Sequence, residues 1–250
     1  MNVTVIKSIM TLVIVGLLFG NARAGDVSRL YLKAVDNYET GNYQAAAETF
    51  SEIAEKGIRN GKLYYNTGNA WFKAGDVGRA ILWYERAKPL RPNDPELAFN
   101  LSHARTLMVD KTPQENAVLH ALFFWRDMIG QRFLVWTAVV FNALFAAGLF
   151  RRLVLKKYMP KSLLYAGLII VIIAGGTAGF NMAAERFWSK GVVLPAAVSV
   201  KSGISDLSTE LFVLHAGSKV TVETENKGYY RVRFGHDKIG WVSQKAIGMI

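Results

Sequence analysis

"LYYNTGNAWFKAGDVGRAILWYERAKPLRP", Leu63 to Pro92, decides the fold, because moved back by 34 positions it falls on earlier sequence of the same pattern without a gap. Gly75 lands on Gly41, Phe72 on Tyr38, Ala80 on Ala46 and Tyr84 on Phe50. Similarity at a fixed period of this size marks stacked units, each too small to bury its own apolar face. Gly41 and Gly75 permit a tight turn between paired helices. Ala46 and Ala80 let each pair approach closely, Phe50 and Tyr84 fill the space between, and Pro92 stops the last helix.

The spacing of Gly68, Trp71, Gly75, Ala80, Tyr84, Ala87 and Pro92 resembles the tetratricopeptide repeat. The resemblance implies an all-α helical array over residues 25–110, with repeats at about 29–58 and 59–92 and a capping helix at 95–108. In that last helix Phe99 and Asn100 repeat Tyr65 and Asn66. Two repeats and a cap are fewer than the usual three. The array is therefore expected to be completed by a partner or to lean on the amphipathic juxtamembrane segment 111–131. In such arrays the first helix of each repeat lines a concave face, and residues three or four apart share it. The candidate peptide-binding residues are Tyr65, Asn66, Asn69, Lys73, Asn100 and His103. Asparagine offers both donor and acceptor, which suits the backbone of an extended peptide. Alternatively the asparagines satisfy local backbone groups, and Leu32 at the equivalent place in the first repeat interrupts the ladder.

The chain is 51% hydrophobic and 20% charged, with a formal charge of +11 and no cysteine. Disulfides, thiolate metal sites and thiol nucleophiles are thereby excluded. Residues 25–110 hold eleven basic and eleven acidic side chains, whereas Arg151, Arg152, Lys156, Lys157 and Lys161 crowd into eleven positions without a carboxylate. A nucleic-acid surface spreads its charge over a domain face; this one is a short loop between two apolar runs. Phe133–Phe150 and Ser162–Met182 each lack a charge and are long enough to cross a hydrocarbon core of about 30 Å. They predict transmembrane helices at 132–150 and 162–183, joined by a basic loop at 151–161 that stays in the cytoplasm and touches anionic lipid. Residues 1–24 read as a secretory signal ending in Ala22-Arg23-Ala24, which places the regions before and after the hairpin on the exported side. Trp125, Trp136 and Trp188 suit an interfacial belt. Asn142, Gly175 and Gly179 are the candidate helix-packing residues, a polar group seeking a partner and a small-xxx-small pair.

After Lys190 the pattern becomes short β-branched strands with turns at Ala216-Gly217, Lys227-Gly228 and Gly235. Ser202-Gly203, the strand His215–Val222, Tyr229–Val232 and the closing Gly240-Trp241-Val242 resemble the bacterial SH3 domain, which implies an all-β SH3-like barrel over 190–250. Trp241 is expected in its core. His103, His120, His215 and His236 are scattered, and no acid–base pair or nucleophile elbow is visible, so neither an enzyme nor a cofactor is expected.

The order of signal, repeats, two-span hairpin and SH3-like tail is similar to the Bat (Bacteroides aerotolerance) family of bacteria. That resemblance implies a non-enzymatic scaffold in the inner membrane, with both folded regions in the periplasm. Its implied partners are von Willebrand A-domain membrane proteins and a MoxR-type ATPase, in envelope stress tolerance. Two other readings are a peptidoglycan-associated cell-wall module and a regulatory subunit of a membrane enzyme.

Overall fold

In a computed structural model, the described residues are 25–110, 129, 131–156, 158, 160–187, 189–205, 207–235 and 237–250. The expected signal, nearly all of the juxtamembrane segment, and Trp125, Lys157, Trp188 and His236 lie outside them. The chain divides into two compact units, Met1–Asp76 and Val77–Ile250.

Three helices make the described part of the first unit: α1 over 25–39, α2 at Tyr43–Glu55 and α3 at Gly61–Lys73. Gly41 and Gly75 both sit in the left-handed region, at φ 82° and 84°. Each closes the helix before it in the same way. Asn42 N–H reaches Asn37 C=O at 2.8 Å and Gly41 N–H reaches Tyr38 C=O at 3.2 Å. Thirty-four residues on, Asp76 N–H reaches Trp71 C=O at 3.0 Å and Gly75 N–H reaches Phe72 C=O at 3.1 Å. This double closure satisfies carbonyls that a helix end leaves open, and it needs a residue without a Cβ at the turn. Ala46, Ala47, Phe50 and Ile53 of α2 are buried, as are Leu63, Ala70 and Trp71 of α3. The helix α1 has Arg29, Lys33 and Asp36, all exposed, where α3 has Leu63, Thr67 and Ala70, all buried. A polar outer face of this kind is what a terminal repeat requires.

The second unit opens with α4 at Val77–Ala87 and α5 at Pro95–Thr106. The 34-residue offset carries the buried set across: Ala80, Ile81, Tyr84 and Ala87 repeat α2, and Leu97, Leu101 and Ala104 repeat α3. It carries the helix start as well. The Asn60 side chain caps α3 by accepting from Lys62 and Leu63 N–H, and Asp94 caps α5 by accepting from Glu96 and Leu97 N–H.

Next come α6 (Gln131–Leu153) and α7 (Lys161–Phe187), which pack on each other. They hold apolar stretches of 21 and 23 residues whose side faces are largely uncovered. Both helices outrun the expected bounds, because a helix need not stop where its apolar run stops.

One residue beyond α7 the chain enters a seven-stranded antiparallel sheet. Its strands are β1 (Ser189–Val193), β2 (Ala197–Lys201), β3 (Glu210–His215), β4 (Lys219–Asn226), β5 (Tyr229–Phe234), β6 (Lys238–Ser243) and β7 (Ile247–Met249). The spatial order is β3-β2-β6-β5-β4-β1-β7. Register shifts at Val200/Lys201 and Val222/Thr224 bend the strands, and one core draws Leu214 from β3 and Ile247 from β7 around Val200, Val220, Val232 and Val242. The expected barrel is nonetheless an open sheet. β3 and β7 are its two edges; Arg86 of α4 takes one carbonyl of β7, and Asp110, just past α5, takes one N–H of β3.

Trp241 is also outside the expected core. It is half-buried on the face opposite its buried neighbours Gly240 and Val242, because strand alternation assigns the inward positions to those two.

Candidate functional site

On α3, Tyr65, Asn66 and Asn69 are half-buried and Lys73 is exposed. Asn66 Nδ2 donates to Tyr31 Oη at 3.1 Å, and the Tyr31 ring meets Phe50 edge-on with centroids 5.5 Å apart. Asn66 therefore ties α3 to α1. On α5, Asn100 is half-buried, and the exposed His103 stacks on Phe99 at 6.3 Å between centroids. Phe99 is 69% exposed, an aromatic ridge at a position where α3 carries Tyr65.

The remaining sequence candidates lie on the hairpin. Arg151 and Arg152 end α6, Lys156 is exposed after it, and Lys161 begins α7. A Cβ on Gly175 would meet Ala138 at 3.9 Å, whereas one on Gly179 would meet nothing within 4 Å. Asn142 is exposed on α6. Leu134, Leu164, Ala174 and Ala178 are the buried apolar side chains of the pair.

The most elaborate polar arrangement was not among those candidates. It joins α4 and α5 to the sheet. Glu85, only 5% exposed, takes Arg105 Nη2 on one carboxylate oxygen and Lys219 Nζ, at 2.9 Å, on the other. Burial works to raise its pKa, but the attraction and hydrogen bonds of Lys219 and Arg105 outweigh this and hold it below the usual carboxylate range.

Just past α5, Asp110 Oδ2 accepts from His215 N–H at 2.7 Å and from Ser218 Oγ–H at 2.6 Å, and its Oδ1 lies 3.1 Å from His215 Nδ1. Burial again opposes ionisation, and the bonds from Ser218 and His215 again prevail, so Asp110 too is held low. Arg86 donates to the Met249 carbonyl through Nε at 2.9 Å and Nη2 at 2.6 Å, with its guanidinium 4.5 Å from the Trp83 ring centroid.

Two of these contacts cap the sheet. Ile250 N–H bonds Lys190 C=O, so by the alternation of an antiparallel ladder Met249 turns its carbonyl away from β1. That outward carbonyl is the one Arg86 takes. Ala216 N–H bonds Ala196 C=O, so His215 turns its N–H away from β2, and Asp110 takes it. A cation covers an edge acceptor, and an anion covers an edge donor. Close packing seals the joint: a Cβ on Gly78 would lie 2.6 Å from Leu194 O, and one on Gly248 would lie 2.3 Å from Leu82 Cδ2.

Part of this was visible as a break in the repeat. Trp71 Nε1 donates to Ser51 Oγ at 3.3 Å; 34 residues on, the same two positions hold Arg105 and Glu85. A carboxylate inside "ILWYERA" opposite a lone arginine was the available signal. Arg86, Asp110, His215 and Ser218 gave none, since their partners are more than a hundred residues away.

A family model described as the tetratricopeptide repeat matches residues 31–95, which spans α1 to the start of α5. No curated protein matches the chain.

Proposed function

We propose that this protein is a non-enzymatic membrane scaffold whose repeat region and sheet hold partner proteins on one side of a bilayer crossed twice by α6 and α7. The observation that carries this reading is the set of contacts joining residues before the hairpin to residues after it: Glu85 to Lys219, Arg86 to Met249 and Asp110 to His215 and Ser218. Segments in such contact occupy the same side, so the helices between them must cross an even number of times or not at all. Their length and apolar side faces favour two crossings. The five-cation loop then lies on the other side, in the cytoplasm by the positive-inside rule. The repeat, a fold used to bind proteins, supplies the binding role.

In finer terms, we place it as a BatE-like member of the Bat family. It would sit in a bacterial inner membrane with its SH3-like sheet and repeats in the periplasm, serving a complex with von Willebrand A-domain proteins and a MoxR-type ATPase. The order of segments supports this.

The absence of native cysteine makes the test clean. Single cysteines at Gln44, Lys156 and Ser208 are exposed to impermeant maleimide on intact spheroplasts. Gln44→Cys and Ser208→Cys should label, and Lys156→Cys should be spared until the membrane is permeabilised. Labelling of Lys156→Cys alone would reverse the orientation, and labelling of all three would remove the hairpin from the membrane. Crosslinking in native membranes with mass spectrometry then tests the partners.

A further inference from the structure

We infer that the hairpin pairs with a second copy of this chain through α6, by reciprocal hydrogen bonds between the two Asn142 side chains. This rests on the reading of α6 and α7 as membrane spans. The row of α6 turned to α7 holds the buried Leu134 and Gly148 and the half-buried Ala138, which a Cβ on Gly175 would meet at 3.9 Å. Asn142 stands outside that row. It is exposed, and among the described residues it has no hydrogen-bond partner.

Its depth makes this consequential. The apolar stretch Phe133–Leu153 has its midpoint at position 143, so at 1.5 Å per residue Asn142 lies within about 2 Å of the middle. The nearest interface is about 15 Å away, beyond the reach of so short a side chain. An amide left open to hydrocarbon there is costly. Val135, Val139, Asn142 and Ala146, all exposed, follow at intervals of four, three and four, the spacing of a helix–helix seam. The exposed row beside it, Trp136, Val140 and Leu144, is bulkier and carries no amide, as lipid contact requires.

Symmetry selects the occupant. Copies inserted the same way form a closed dimer about an axis along the membrane normal. That axis sets the two α6 helices parallel and brings Asn142 of each copy to one depth. An amide both donates and accepts, so it is its own complement. A helix of another protein would need a polar group of its own at the same depth. Ala146 and the two valines leave room for the backbones to approach.

The cysteine-free chain allows single cysteines to be oxidised by copper phenanthroline in native membranes. Val139→Cys and Ala146→Cys should give a covalent dimer of the full chain, and Leu144→Cys should not. In detergent micelles, energy transfer between labelled copies should show Asn142→Leu weakening association roughly three- to tenfold. Asn142→Gln, which keeps an amide, should retain most of it. Leucine favours insertion, so failed insertion would not explain a loss.

Equal cross-linking at positions 139, 144 and 146, unchanged association of Asn142→Leu, or seam cross-links only to a different protein would each overturn the inference. Maleimide labelling of Gln44→Cys, Lys156→Cys and Ser208→Cys keeps the two readings apart. If all three label on intact spheroplasts, the membrane reading falls and this inference with it. If Lys156→Cys is spared and the seam gives no dimer, this inference falls alone.

Discussion

Replacing Glu85 by glutamine tests whether helices and sheet form one cooperative unit. The carboxylate is 5% exposed and takes two cations, whose side chains are 39% exposed for Arg105 and 26% for Lys219. Breaking a buried ion pair by removing one member costs about 3–5 kcal/mol, because the other charge is left without compensation. Here both cations keep partial access to water, and glutamine retains one hydrogen-bond acceptor. The expected cost is therefore below that range, about 2–3 kcal/mol.

Two reporters read it out in the cysteine-free chain: Ala80→Cys on α4 and Val220→Cys on β4, at positions 0% and 2% exposed. Their labelling by a thiol reagent requires opening of the structure. Glu85→Gln should accelerate both by the same factor, roughly 30- to 150-fold at 1.36 kcal/mol per decade. Replacing Glu85, Arg105 and Lys219 together by apolar residues of similar volume should recover most of the loss. Acceleration at Ala80→Cys with none at Val220→Cys would refute the reasoning, since the sheet would then be stable without the helices.

The close approaches predict that Gly78→Ala destabilises by about 1–3 kcal/mol, because the new methyl meets a backbone carbonyl that cannot step aside; the same reporters would show it. Asn66→Ala and Tyr31→Phe should each cost about 0.5–1.5 kcal/mol in the melting temperature of the full chain. Their double variant should fall short of the sum, whereas full additivity would mean that the Asn66–Tyr31 bond contributes nothing. Because Asp110 has a folded pKa below its unfolded value, its contribution is present above the unfolded pKa and is lost as pH falls through the folded one. Labelling of Val220→Cys, normalised to a free thiol at each pH, should rise in acid, and Asp110→Asn should flatten that rise. Neutralising Arg151, Arg152, Lys156, Lys157 and Lys161 together should scramble the orientation reported by Gln44→Cys and Ser208→Cys.

What the sequence disclosed follows from the range of the interactions. Gly41 and Gly75, Asn60 and Asp94, and the alanines at 46 and 80 each act within one turn or one helix pair, and a 34-residue offset finds them. The sheet was legible as strands because alternation and turn glycines are local too. Its openness was not, because closure is a relation between β3 and β7, and Arg86 and Asp110, which each take one edge group, come from another part of the chain. Trp241 misled for a related reason. In a small barrel the largest aromatic is the natural core residue, and only the parity of β6 relative to Val242 turns it outward. The groove candidates were chosen by repeat position, which does not reveal that Asn66 is engaged by Tyr31.

The capping of both sheet edges sets a condition on biosynthesis. The seven strands are made after both apolar segments, and the groups that cover β3 and β7, Asp110 and Arg86, are made before them. Until the sheet reaches those groups, it presents two open edges of the kind that recruit strands from other chains. A fragment beginning after α7 would keep that exposure permanently. It should form intermolecular sheet where the intact protein stays monodisperse, so the helical half acts in effect as the built-in chaperone of the sheet.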